Sequence, residues 1–167
     1  MRAPDYIEPV VGWRMWCTVG DDEGTVLRSV NRRTVWPRGT ALVADCLRSR
    51  IHLWRRSDAH AAPGPECRCG IYASDIALLR AYLAEWLVWG GCVPVLGTVS
   101  LWGRVFEHER GWRAQCAYPQ HLFVPVVEAA PEQALSAAQD LAAYGVPVSL
   151  VAATTLDTVL HDAVAAA

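Results

Sequence analysis

The chain has 167 residues, of which 53% are apolar and 19% charged, with a net charge of −2. That composition suits a globular domain and excludes an intrinsically disordered chain, and the near-neutral charge gives no global field for nucleic acid or anionic membrane. No apolar run approaches the ~20 residues of a membrane-spanning helix, and the first residues carry no apolar signal region, so a cytoplasmic protein is expected.

Charge is uneven along the chain. Between Arg28 and Arg56 stand eight arginines and one acid, Asp45, whereas from Phe123 onward there are five acids and no arginine. Either a basic surface meets an anionic partner, or the two ends complement each other or a sister subunit. All fifteen basic residues are arginine, a bias expected of a GC-rich bacterial genome.

In chain order, residues 1–10 read as a loose arm. Val11–Val19 alternates, with Trp13, Met15, Cys17 and Val19 on one face and Arg14, Trp16 and Thr18 on the other, which predicts a strand. The turn at residues 20–24 leads to a partner strand over Thr25–Val30. After a turn at Pro37–Gly39, Thr40–Cys46 reads as a strand. Leu47–Glu66 is irregular, because Pro63 and Pro65 remove amide donors and fix φ. A loop of this length in a compact domain requires something to hold it.

Ser74 is the expected N-cap of a helix whose Ile76, Leu79, Leu83, Trp86 and Leu87 form one stripe. Thr98–Glu107 and Trp112–Tyr118 form a hairpin turning at Arg110-Gly111, and His121–Val127 adds a strand. Pro131 opens a helix that runs to Tyr144 and stops at Gly145. Val146–Val151 is a short strand, and Thr154 caps a last helix with Asp157 in a capping box. The expected fold is therefore α+β: a mainly antiparallel, β-rich body with one central helix (1–127, with a metal-binding loop over 46–69), then a C-terminal helix-strand-helix (128–167), all in one domain.

Six cysteines in an intracellular chain point to metal ligands, reactive thiols or core residues before disulfides. Cys46, His60, Cys67 and Cys69 supply the four soft and borderline donors that zinc takes in a tetrahedron, with His52 in reserve for His60. The helix start after Cys69 and the neighbouring Arg68 favour thiolate. Four protein ligands make a closed, structural site; the alternative is that Cys67 and Cys69 pack under the helix without metal. Cys17, Cys92 and Cys116 read as non-ligands.

Candidates for chemistry are few. His108 between Glu107 and Glu109 has the composition of an acid–base group, or of a charged hairpin tip in water. Arg32, Arg33, Trp36, Trp54, Arg55 and Arg56 combine arginine with tryptophan, a mixture suited to a protein partner, to self-association or to nucleic-acid bases.

The stretch Cys69-Gly70-Ile71-Tyr72-Ala73-Ser74-Asp75 is similar to the segment that enters a helix in poly(ADP-ribose) polymerase-like ADP-ribosyltransferases. The resemblance implies an NAD-using fold with Tyr72 against the nicotinamide and Arg14 near the phosphates. The family's usual histidine is missing near Gly12-Trp13-Arg14, and its catalytic glutamate has no clear counterpart. The residues themselves thus favour a non-enzymatic binding or assembly module organised by zinc, with the enzyme and the nucleic-acid binder as alternatives.

Overall fold

A computed structural model describes residues 8–46, 60–86, 92–128 and 130–165. The expected β-rich α+β fold is what it shows. The elements in order are β1 (Val10–Asp21), β2 (Gly24–Ser29), β3 (Leu42–Val43), β4 (Ile71–Ser74), α1 (Ile76–Trp86), β5 (Pro94–His108), β6 (Gly111–Val126), α2 (Pro131–Leu141), β7 (Val148–Ala152) and α3 (Leu156–Ala165). Among the described residues, no helix is long and apolar enough to cross a membrane.

All seven strands belong to one mixed sheet. β1 runs antiparallel to β2 and to β5. The long β5–β6 hairpin is its centre, and β6 also pairs antiparallel with β3 and β4 and parallel with β7. β4 touches β1 as well, at Trp13↔Ser74. Since β4 and β5 each pair with both β1 and β6, the four strands form a closed circuit. Gly12 permits the closure: a Cβ there would lie 2.7 Å from the Cβ of Ala73.

Both faces of the sheet are covered. On one, Trp16, Leu27, Trp36, Val99 and Leu122 pack with Leu141 and Tyr144, at and just beyond the end of α2. On the other, Trp13, Leu96 and Phe123 pack against Leu79 and Leu83 of α1 and Leu156 and Leu160 of α3. The alternation expected of β1 thus sorts its side chains between two buried layers rather than between core and water. The C-terminal segment is built into the same sheet. The Tyr144 hydroxyl accepts from Leu27 N–H (3.0 Å) and donates to Trp36 O (2.7 Å), tying β2 to the segment beside it.

Several local expectations change. β6 is continuous where two strands were expected, because the proline at 119 sits at a register shift between Thr98↔His121 and Val99↔Pro119, and a bulge is where a strand tolerates proline. The cap of α1 is Asp75 rather than Ser74: Leu78 N–H donates to Asp75 Oδ1 at 2.6 Å, while Ser74 ends β4 and its hydroxyl donates to Trp13 O. Thr154 lies inside a 3₁₀ turn over Ala153–Thr155 that leads into α3, rather than at the position before the helix. The helix begun at Pro131 tightens to a 3₁₀ turn after Leu141, and Gly145, at φ 69°, ends it as expected.

Cys17 and Cys92 are joined in a disulfide linking β1 to the segment before β5. A disulfide was the last of the uses expected for these cysteines; the pairing corrects that ranking for Cys17 and Cys92, while both remain outside the metal cluster. In β1–β5 register Cys17 stands opposite Pro94, which brings the two side chains together, a neighbourhood that spacing alone does not reveal.

Candidate metal centre

The four expected ligands converge. One donor atom from each of Cys46, His60, Cys67 and Cys69 lies within 4.8 Å of every other. Cys46 Sγ is 3.7 Å from Cys67 Sγ, and His60 Nε2 is 3.2 Å from Cys69 Sγ. A zinc tetrahedron with Zn–S bonds of about 2.3 Å has S···S edges of about 3.8 Å, so the sulfur spacing fits such an ion. Cys46 and Cys69 are buried, and His60 and Cys67 are half-buried.

The ligands arrive from three stretches of the chain. Cys46 follows β3, whose ladder to β6 extends through Ala44 N–H to Gln115 O (2.7 Å). Cys67 and Cys69 lie in the turn before β4, closed by a hydrogen bond from Cys67 N–H to Gly64 O (3.2 Å). Two glycines shape this loop. A Cβ on Gly64 would stand 2.5 Å from His60 Cδ2, so glycine leaves room for the imidazole. Gly70 has φ +128° and directs the chain from Cys69 into β4, a conformation glycine adopts at no steric cost.

Without a cation, the surroundings of Cys69 disfavour thiolate, which corrects the expectation that the helix start and Arg68 favour it. Burial pushes its thiol above the usual range, the Gly64 N–H acts in the opposite sense, and the adjacent Cys67 and Cys46 sulfurs raise it further. A divalent cation is the partner that makes thiolate favourable at such a place. Gly64 N–H donates to Cys69 Sγ at 3.3 Å, a hydrogen bond of the kind that orients a metal-bound sulfur.

Sequence reasoning missed the two arginines that hold the loop. Arg113 of β6, only 5% exposed, donates through Nη1 to the carbonyls of Gly64 (3.0 Å), Cys67 and Cys69 (3.1 Å), and through Nη2 to Pro65 O (3.4 Å). Its Nε donates to His108 Nε2 at 2.9 Å, and its guanidinium lies 4.8 Å from the Phe106 ring centroid. Arg104 donates to Ala61 O and Pro63 O, each at 3.3 Å. The proline-rich loop, poor in amides of its own, is thus held by its carbonyls. The available signal was only an arginine inside an expected strand; that it stands opposite Tyr72, and which side of that strand the loop covers, only the fold shows.

The remaining candidates are scattered. Trp36 is fully buried, edge-on to Trp16 at 5.4 Å, with its indole N–H bonded to Ser29 Oγ; it belongs to the core, a correction to its place on a partner surface. Arg32 and Arg33 are exposed beyond β2. Trp54, Arg55, Arg56 and the reserve ligand His52 lie outside the described residues, as does Leu87. His108 accepts from Arg113, and Glu107 faces Trp112 across the hairpin. Cys116 is a free, half-buried thiol that pairs in register with Val43 of β3 and is not one of the four clustered donors.

Arg14 and Tyr72 do meet. Arg14 donates through Nη1 to Tyr72 O and through Nη2 to Ser29 Oγ (3.0 Å), and its guanidinium lies 5.0 Å from the Trp36 ring centroid. Burial lowers its pKa to about 10, so it remains a cation at neutral pH. Tyr72 is exposed, its hydroxyl donating to Arg68 O (2.8 Å). Both residues line a cleft of about 1340 Å³ whose rim includes Arg32 and Arg33.

No protein-family model, curated protein or solved structure matches the chain.

Proposed function

We propose that this chain is a non-enzymatic binding or assembly module whose fold is organised by one structural zinc ion. The observation that carries the reading is the convergence of three thiols and one imidazole, all within 4.8 Å, from three separate stretches of the chain. Four protein donors fill a tetrahedron and leave no position for a reacting water, which is the arrangement of a structural rather than a hydrolytic site. The ion joins the end of β3, the proline-rich loop and the entrance to β4, a role that a larger apolar cluster would otherwise fill. A smaller cleft beside Cys67, Glu66 and His108 offers the ion a way in. The exposed Arg32 and Arg33 are the described part of the proposed contact surface for a protein partner or a second copy. Elemental analysis of purified protein tests the reading: one zinc per chain supports it, and a folded, metal-free protein removes it.

A second reading, an NAD-using enzyme of the ADP-ribosyltransferase type, is supported by the Arg14–Tyr72 contact at the 1340 Å³ cleft. Saturable quenching of tryptophan fluorescence by NAD favours it over the first. A nucleic-acid role would rest on Arg32 and Arg33 at the same rim, and salt-sensitive retention on immobilised nucleic acid is its signature.

A further inference from the structure

Arg113 presents an electrostatic problem. It is a buried cation, and every hydrogen bond it makes among the described residues goes to a carbonyl oxygen or to the His108 imidazole. Glu66, within the loop it grips, is exposed and accepts no bond from it. Carbonyls solvate a guanidinium through their dipoles but do not neutralise it, and a buried charge without a counter-charge is costly.

A metal-loaded cluster would supply the balancing charge. A divalent zinc held by three thiolates and a neutral imidazole leaves one unit of negative charge on the centre. Two of those thiolates belong to Cys67 and Cys69, whose own carbonyls Arg113 holds. A Cys2His2 centre would be neutral and would have no use for a buried cation.

We infer that Arg113 is the counter-cation of the metal centre: its charge, beyond its hydrogen bonds, sets the affinity of the Cys3His cluster for zinc. The inference rests on the zinc reading above and deepens it. Arg113 is a positioning residue here, since it touches the loop and not the ion. It also accounts for a guanidinium at a place where a neutral donor could have bonded the same carbonyls.

The test is zinc affinity by competition with a chromophoric chelator, on the full chain. Arg113→Met should weaken zinc binding by about 10–100-fold, the range for loss of an outer-shell partner, whereas Arg113→Lys, which keeps the charge but not the fork, should stay within about threefold of wild type. In a Cys67→His background, where the centre is neutral, adding Arg113→Met should cost no more than about threefold, because the charge term is gone. Three results overturn the inference while leaving the zinc reading intact: Arg113→Met binding as tightly as wild type, Arg113→Lys losing as much as Arg113→Met, or an undiminished penalty in the Cys67→His background. Wild type that takes up no zinc overturns both. If Arg113→Met does not fold, the Arg113→Lys arm decides alone, and a tenfold or greater loss there (~1.4 kcal/mol) rejects the charge role.

Discussion

Cys46 Sγ and Cys67 Sγ stand 3.7 Å apart across 21 positions of sequence, much of it a proline-rich loop that forms no strand or helix in its described part. Apolar packing alone gives sulfur atoms no reason to meet at that spacing together with an imidazole. A shared cation does. Cys67→Ser and Cys69→Ser should therefore each abolish stoichiometric zinc and lower the melting temperature by several degrees, since metal binding to such a site is part of the folding free energy. Cys116→Ser should leave zinc at one per chain. Equal effects at all three positions, read by elemental analysis and thermal melts, would reduce the cluster to core packing.

The disulfide makes Cys92 unsuitable as a neutral control for that series. Cys17 and Cys92 are separated by 75 positions, and cross-linking a loop of that order stabilises a domain by about 2–4 kcal/mol through the unfolded chain. The double variant Cys17→Ser/Cys92→Ser should lose stability of that order in chemical denaturation yet retain its zinc. Thiol alkylation of the denatured, metal-stripped chain reports the bond directly: the four free cysteines should react without reduction and all six after it, and six before reduction would show that the pair is open in the isolated protein.

Asp75 joins capping to a surface ion pair. Its carboxyl is held below the usual carboxylate range, first by the Leu78 N–H at the start of α1 and then by Arg110, 3.3 Å away. Asp75→Ala should destabilise the protein by about 1 kcal/mol, as loss of an N-cap does, and Asp75→Asn by less. Ser74→Ala should move the urea midpoint little; the reverse order would return the cap to Ser74.

His121 gives the fold a pH dependence of known sign. Its ring is stacked on Phe123 at 4.2 Å and bonded to Ser149 Oγ at 2.9 Å, and burial lowers its pKa below the ordinary 6.5. The unfolded chain then takes up the proton before the folded one, so this contribution is complete above about pH 6.5 and is lost as the pH falls below it. Wild type should lose more stability than His121→Gln between pH 7.5 and about 5.5. Because any loss of metal in acid would affect both proteins alike, the difference between them isolates the histidine, and parallel curves would exclude its role.

Much of this architecture is written in local chemistry. Alternation over residues 11–19, the stop at Gly145 and the stripe of Leu79 and Leu83 each follow from neighbours within a few positions, and each corresponds to an observed element. The ligand set was legible for a related reason: cysteine and histidine are scarce, and a proline-rich loop between them has few other ways to be held. Long-range neighbours were not legible. Trp36, placed on a surface by its arginine-rich surroundings, lies in the core because Trp16 and Tyr144 reach it from distant strands and turns. Cys17 and Cys92 meet only because β1 and β5 pair in one particular register.

The sequence by itself determined which residues can bind a metal, since donor chemistry belongs to the side chain. Only the tertiary structure decided that they converge, and that a buried Arg113 stands behind them, because burial and counter-charge depend on what the sheet brings together from afar.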